Sequence, residues 1–293
     1  MIGLVGTVMA IKEIGHAPPS ATTIIVALLV AAIGFWLFVR RQRRLENPLL
    51  EFSIFLNPAF SAGVLAAAFA MFAIGGIQLV TTQRFQQVVG FSPLEAGLLV
   101  AVIAVGSLPT ALLGGAFLHR VGLLALITGG LAVATGGVVV TVVGFQSSFG
   151  VLVLGLLVTG AGLGAAMSVA STAIIGNVPV RRAGMAASLE EVSYEFGSLI
   201  AVSVLGSLLT AIYTASVVLP NGAPAAAGDG IAEALEAAQG DAAIIQAAST
   251  AFDSAYLVVM LVVAGVLAAA TVITGVLLRR YLPGTQSQLH SEH

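Results

Sequence analysis

Glu190, Glu191 and Glu195 lie inside a stretch, about 185–213, that is otherwise apolar and long enough to cross a bilayer. A carboxylate at membrane depth is costly, and where one occurs it usually marks an ion or substrate pathway. At about 100° per residue along a helix, Glu191 and Glu195 share a face, whereas Glu190 points about 100° away from Glu191. With the helix entering near Ala183 or Gly184, Glu190 lies about 10 Å along it and Glu195 about 17 Å, close to the midplane and the deepest of the three. Desolvation disfavours the charged form, and no Lys or Arg is expected in the core of a helix. Compensation must then come from protons, from water or from a further domain. A group compensated by a proton can release it when a cation arrives, which couples two fluxes through one site. The competing reading makes the trio helix glue, hydrogen-bonded to Ser193, Tyr194 or Ser198.

The elements that must position these residues follow from composition. Hydrophobic residues make up 58% of the 293, charged residues 8%, and mean hydropathy is +1.07, far from a soluble domain with its roughly 25% charge. Seven apolar runs, at about 21–39, 59–80, 96–118, 123–145, 149–175, 185–213 and 255–278, reach the roughly 17 to 25 residues a transmembrane helix needs. Their continuity disfavours a β-barrel. The expected class is an all-α membrane protein. A net charge of −2 offers no basic surface for nucleic acid, and the absence of cysteine excludes disulfides, iron–sulfur clusters and thiol catalysis. No cofactor is expected.

Residues 1–11 are apolar but span only about 16 Å, about half the hydrocarbon core. Lys12, Glu13 and the turn signal Ala17-Pro18-Pro19-Ser20 follow, without the basic start and cleavage site of a signal peptide. The expectation is a chain that opens inside a helix, as the C-terminal part of a longer protein. Nine arginines (Arg40, Arg41, Arg43, Arg44, Arg120, Arg181, Arg182, Arg279, Arg280) fall in loops on one side. Lys12 and Arg84 fall on the other. The positive-inside rule puts the nine, and the C-terminus, in the cytoplasm of a multi-pass inner-membrane protein. Segment 214–252 is then outside, with one amphipathic helix expected from Asp229 to about Ala248, acting as a cap or, the favoured reading, a spacer.

Other polar positions have structural explanations. Ser92-Pro93-Leu94-Glu95 reads as a capping box, Pro109 should kink the third helix, and Gly160 and Gly164 stand at the GxxxG spacing that lets helices approach closely. His16, His119, His290 and His293 have no partner at metal-ligand spacing, and neither HExxH nor GxSxG occurs. No hydrolase machinery is visible.

Residues 83–97 (QRFQQVVGFSPLEAG) resemble the segment between two helices of the fourteen-helix drug/proton antiporters of the major facilitator superfamily, and 184–197 (GMAASLEEVSYEFG) are similar to their penultimate helix. Within that family the glutamate run resembles that of exporters of quaternary ammonium compounds and methyl viologen. The stretch 115–122 (GAFLHRVG) is similar to the second copy of the superfamily's cytoplasmic loop motif, with Gly115, Arg120 and Gly122 in place and His119 where Asp is typical. Residues 40–55, with Asn47-Pro48-Leu49-Leu50, resemble the linker into the C-terminal domain, and Ala251-Phe252-Asp253 the entry to the last helix.

The resemblance implies a C-terminal six-helix bundle over 53–283, preceded by a partial helix (1–17) and by a complete helix with a basic linker (18–52), and followed by a polar tail, 284–293. Two inverted triplets, 59–145 and 149–278, would place Gln78, Phe72, Met71 and Met167 as candidate cavity wall, although each taken singly is also ordinary core or lipid contact. The implied partners are the lipid bilayer, protons, hydrophobic organic cations and an N-terminal six-helix domain, without which the chain should not transport. Glu190, Glu191 and Glu195 would bind protons or cations. A non-transporting fragment or accessory membrane partner is the alternative, and an importer of neutral solutes fits the carboxylates poorly.

Overall fold

In a membrane core every backbone amide must be satisfied within its own segment, so apolar runs of this length form helices. The computed structural model describes residues 2–14, 20–42 and 52–279, and these are helical throughout apart from short connections. The order is α1 (Ile2–Ile14), α2 (Ala21–Gln42), a 3-10 turn (Phe52–Leu56), α3 (Pro58–Gln87), α4 (Pro93–Ser147), α5 (Phe149–Ile175), α6 (Ala183–Ile200), a π-helical segment (Ala201–Leu205), α7 (Gly206–Ser216), α8 (Ile231–Ala238) and α9 (Ala242–Leu278). Six helices among the described residues are long and apolar enough to cross a membrane. The 55-residue α4 is two spans joined at Gly122, whose φ of 85° and ψ of 162° break the helix. Only glycine adopts that backbone cheaply. Gly122 thus makes the reversal between the arms 93–121 and 123–147.

Several expectations are corrected. The single amphipathic helix expected over 229–248 is two elements: α8 ends at Gln239, in the left-handed region at φ 45°, and Asp241 caps the next helix by accepting from the Ala243 amide at 2.8 Å. The last helix therefore starts at Ala242 rather than near 255, because nothing in 242–254 interrupts it once that cap is in place. Arg84, expected in a loop, lies in the last turn of α3. The turn at His16–Pro19, Arg43, Arg44, Asn47–Leu50, Arg280 and the tail with His290 and His293 lie outside the described residues.

The chain divides into two compact units. One comprises 1–41, 76–98 and 199–260. Within it Gly6 of α1 lies against the backbone of Ala27 and Ala31 in α2, and Arg40 stacks over Trp36, 5.1 Å from the ring centre. The segment after α7 is folded down as a cap, contrary to the favoured spacer reading: the fully buried Tyr213 donates to the Ala227 carbonyl at 3.0 Å, its ring meets Phe252 edge-on at 6.4 Å, and Ile231, Ala234 and Ala238 are buried. The capping box forms as expected, with Glu95 accepting from the Ser92 amide and hydroxyl at 2.8 Å each.

The second unit comprises 42–75, 99–198 and 261–293. Lipid is as apolar as leucine, so helices here associate through close packing of small residues. The Gly160/Gly164 seam does this: a methyl group at either position would collide with the backbone of Ile103 or Ser107 on the first arm of α4. Gly162, on the other side of α5, lies equally close to Gly130 and Ala134 of the second arm. α5 is thereby held between both arms.

Candidate functional site

Ala186, Glu190, Ser193 and Gly197 are the buried residues of α6, spaced as one helix face. Two contacts fix that face. At one end, Ala186 joins a buried cluster of Ile54, Phe60, Ala67, Ile174 and Val178, against which Met185, Leu189 and Tyr194 pack. At the other, Gly197 meets the Ala68 carbonyl and the Phe72 amide of α3 so closely that a larger residue would part the two helices. Arg181 and Arg182 form a 3-10 turn just before α6.

Glu190 is consequently drawn into the bundle and is 8% exposed. Its Oε1 accepts from the Tyr194 hydroxyl at 2.8 Å and its Oε2 from the Ser171 hydroxyl of α5 at 3.1 Å. Both oxygens are satisfied by neutral donors. Glu191 and Glu195 stand on the exposed part of the helix. Among the described residues none of the three glutamates makes an ion pair, whereas Arg84 pairs with Asp253. The angular separation expected from helix geometry is seen, but the deepest carboxylate in terms of protein burial is Glu190, not Glu195. Tyr194 is one of the glue partners considered from sequence, whereas Ser193 donates to the Leu189 carbonyl instead. Ser171 had no sequence signal, since its contact arises only when α5 and α6 pack.

Of the candidate wall residues, Phe72 is buried where α3 meets α6, Met71 and Met167 are half-buried, and Gln78 is exposed. Met71, Phe72, Met167 and the glutamates belong to one unit and Gln78 to the other. None of them lines the groove of about 410 Å³ formed by Ser216, Gln246, Thr250, Ser254 and their neighbours. Gly115 and Arg120 are exposed near the break at Gly122.

The described chemistry missed by the sequence is the Arg84–Asp253 pair, Nε to Oδ1 at 3.0 Å. It brings together residues 169 apart in the chain, with Arg84 in the last turn of α3. Tyr256, fully buried, lies one turn beyond Asp253.

An all-α chain of membrane-spanning helices with an internal, cation-free carboxylate defines a multi-pass protein of the transporter class. The chain belongs to the Major Facilitator Superfamily, whose family profile matches residues 63–228, and this is a family of transporters rather than enzymes. It is 28% identical over 286 residues to the multidrug efflux pump LfrA of Mycolicibacterium smegmatis, covering 93% of this chain and 56% of that one. It is 29% identical over 213 residues to the methyl viologen resistance protein SmvA of Salmonella typhimurium, covering 71% and 42%. It is 30% identical over 193 residues to the multidrug resistance protein Stp of Mycobacterium tuberculosis, covering 66% and 36%. The chain spans about half the length, or less, of these curated relatives. A solved bacterial homologue of the human lysosomal transporter Spinster, inward-facing and occupied, shares the fold with a TM-score of 0.61 at 20% identity, over 88% of this chain and 57% of that one.

Proposed function

We propose that this chain supplies the C-terminal half of a proton-coupled multidrug efflux transporter that exports hydrophobic, quaternary ammonium-like cations. The observation that carries the reading is a membrane-embedded helix with three carboxylates and, among the described residues, no cation paired with them. Such charges are compensated by exchangeable guests, protons in one state and an organic cation in another. The relatives, which include a multidrug efflux pump and a methyl viologen resistance protein, support the same substrate class. Their greater length supports a second half that completes the cavity, since transport in such folds comes from one repeat or bundle moving against the other. In this reading the C-terminus is cytoplasmic, by the arginine distribution.

The test is ethidium efflux from cells expressing the complete gene product, with and without a proton gradient. Gradient-dependent efflux that falls at least tenfold in Glu191→Gln or Glu195→Gln supports the proposal. Resistance to mono- and divalent cations unchanged from wild type in those variants removes the carboxylates from the mechanism.

A further inference from the structure

The Glu190 carboxylate is held by hydroxyls alone, and that choice of partner has a chemical consequence. A guanidinium or ammonium only donates, so it satisfies a carboxylate in its charged form and leaves a protonated one poorly matched. A hydroxyl both donates and accepts. When Glu190 is ionised, Ser171 and Tyr194 each donate to one oxygen, as the 3.1 Å and 2.8 Å contacts show. When it takes up a proton, one carboxyl oxygen becomes a donor, its hydroxyl partner rotates to accept, and the other contact persists. Both carboxyl oxygens stay hydrogen-bonded in either state, and no helix has to move.

We propose that Ser171 and Tyr194 are positioning residues that form a two-hydroxyl cradle for Glu190, allowing this buried carboxylate to take up and release a proton in place while Glu191 and Glu195 face the cargo. The inference rests on the efflux reading above and assigns different work to members of the trio. The geometry suits that work. The Tyr194 side chain packs against the cluster containing Ile54, Phe60 and Val178, which limits where its hydroxyl can point, and Ser171 sits on α5, which the glycine seams hold between the arms of α4. The electrostatic surroundings are sparse. α5 carries no charged residue, α3 carries none before Arg84, and the 3-10 turn at 52–56 carries none. The charged or titratable groups nearest along the elements packed there are Glu191 and Glu195 on α6 itself, Arg181 and Arg182 before it, Tyr194, and His119 and Arg120 on α4.

The experiment measures the pH dependence of ethidium transport by the complete protein in proteoliposomes, for wild type, Ser171→Ala, Ser171→Thr, Tyr194→Phe and Glu190→Gln. Removing a donor disfavours the ionised carboxylate, so Glu190 keeps its proton to higher pH. Ser171→Ala and Tyr194→Phe should each move the midpoint of the profile to higher pH by about one unit, Ser171→Thr should restore the wild-type midpoint, and Glu190→Gln should abolish that transition. Difference infrared spectra on the same samples supply a readout that does not need turnover: a protonated-carboxyl band absent from Glu190→Gln should change frequency in Ser171→Ala and Tyr194→Phe. Unmoved midpoints and an unmoved band in both variants overturn the cradle even if Glu190→Gln abolishes transport. Normal efflux in all three glutamate variants would instead overturn the efflux reading itself.

Discussion

Asp253 and Glu190 are both carboxylates on long apolar helices, yet they are held in opposite ways. Asp253, in one unit, is paired with the Arg84 guanidinium at 3.0 Å, and the two side chains are 33% and 16% exposed. Glu190, in the other unit, is 8% exposed and meets only the hydroxyls of Ser171 and Tyr194. The first pair is closed: its charges cancel, and α3 is tied to α9. The second is open: its hydrogen bonds are satisfied while its charge is not. The contrast sets a carboxylate closed by a cation against one held by hydroxyls alone.

Four changes would break or sharpen that contrast, beginning with the largest effect. Arg84→Asp sets two acids against each other where an ion pair stood, and should cost about 2–4 kcal/mol, seen as a lower midpoint of thermal unfolding in detergent. Adding Asp253→Arg to it should recover at least half of the loss. Asp253→Ala alone should cost less, about 1–2 kcal/mol, because the partner left behind is partly solvated. Glu190→Gln should behave in the reverse sense. The amide still offers an acceptor and a donor to the two hydroxyls, so stability should stay within about 1 kcal/mol of wild type while proton-coupled transport is lost. A Glu190→Gln protein as unstable as Arg84→Asp would make Glu190 a structural group after all. Tyr213→Phe removes a neutral hydrogen bond to the Ala227 carbonyl and should cost about 1 kcal/mol, confined to faster amide exchange in 225–238.

Much of this arrangement was legible in the chain. Helix-length apolar runs, the Ser92/Glu95 box, the Gly160/Gly164 seam and the different direction of Glu190 from Glu191 all follow from local chemistry or helical periodicity. The hidden features depend on tertiary packing. Ser171 reaches Glu190 only because α5 and α6 pack together, and Arg84 finds Asp253 only because α9 begins at Ala242. That early start was masked because 242–254 mixes alanines with Gln246, Ser249, Thr250 and Asp253, and so looks more like a surface segment than the first turns of a span.

The central claim is that the glutamate helix carries charge compensated by exchangeable guests. Its most direct test is proton release when ethidium is added to the weakly buffered, detergent-solubilised complete protein. The account predicts protons released on binding by wild type, and none by a variant with Gln at 190, 191 and 195. Undiminished release from that triple variant would contradict it.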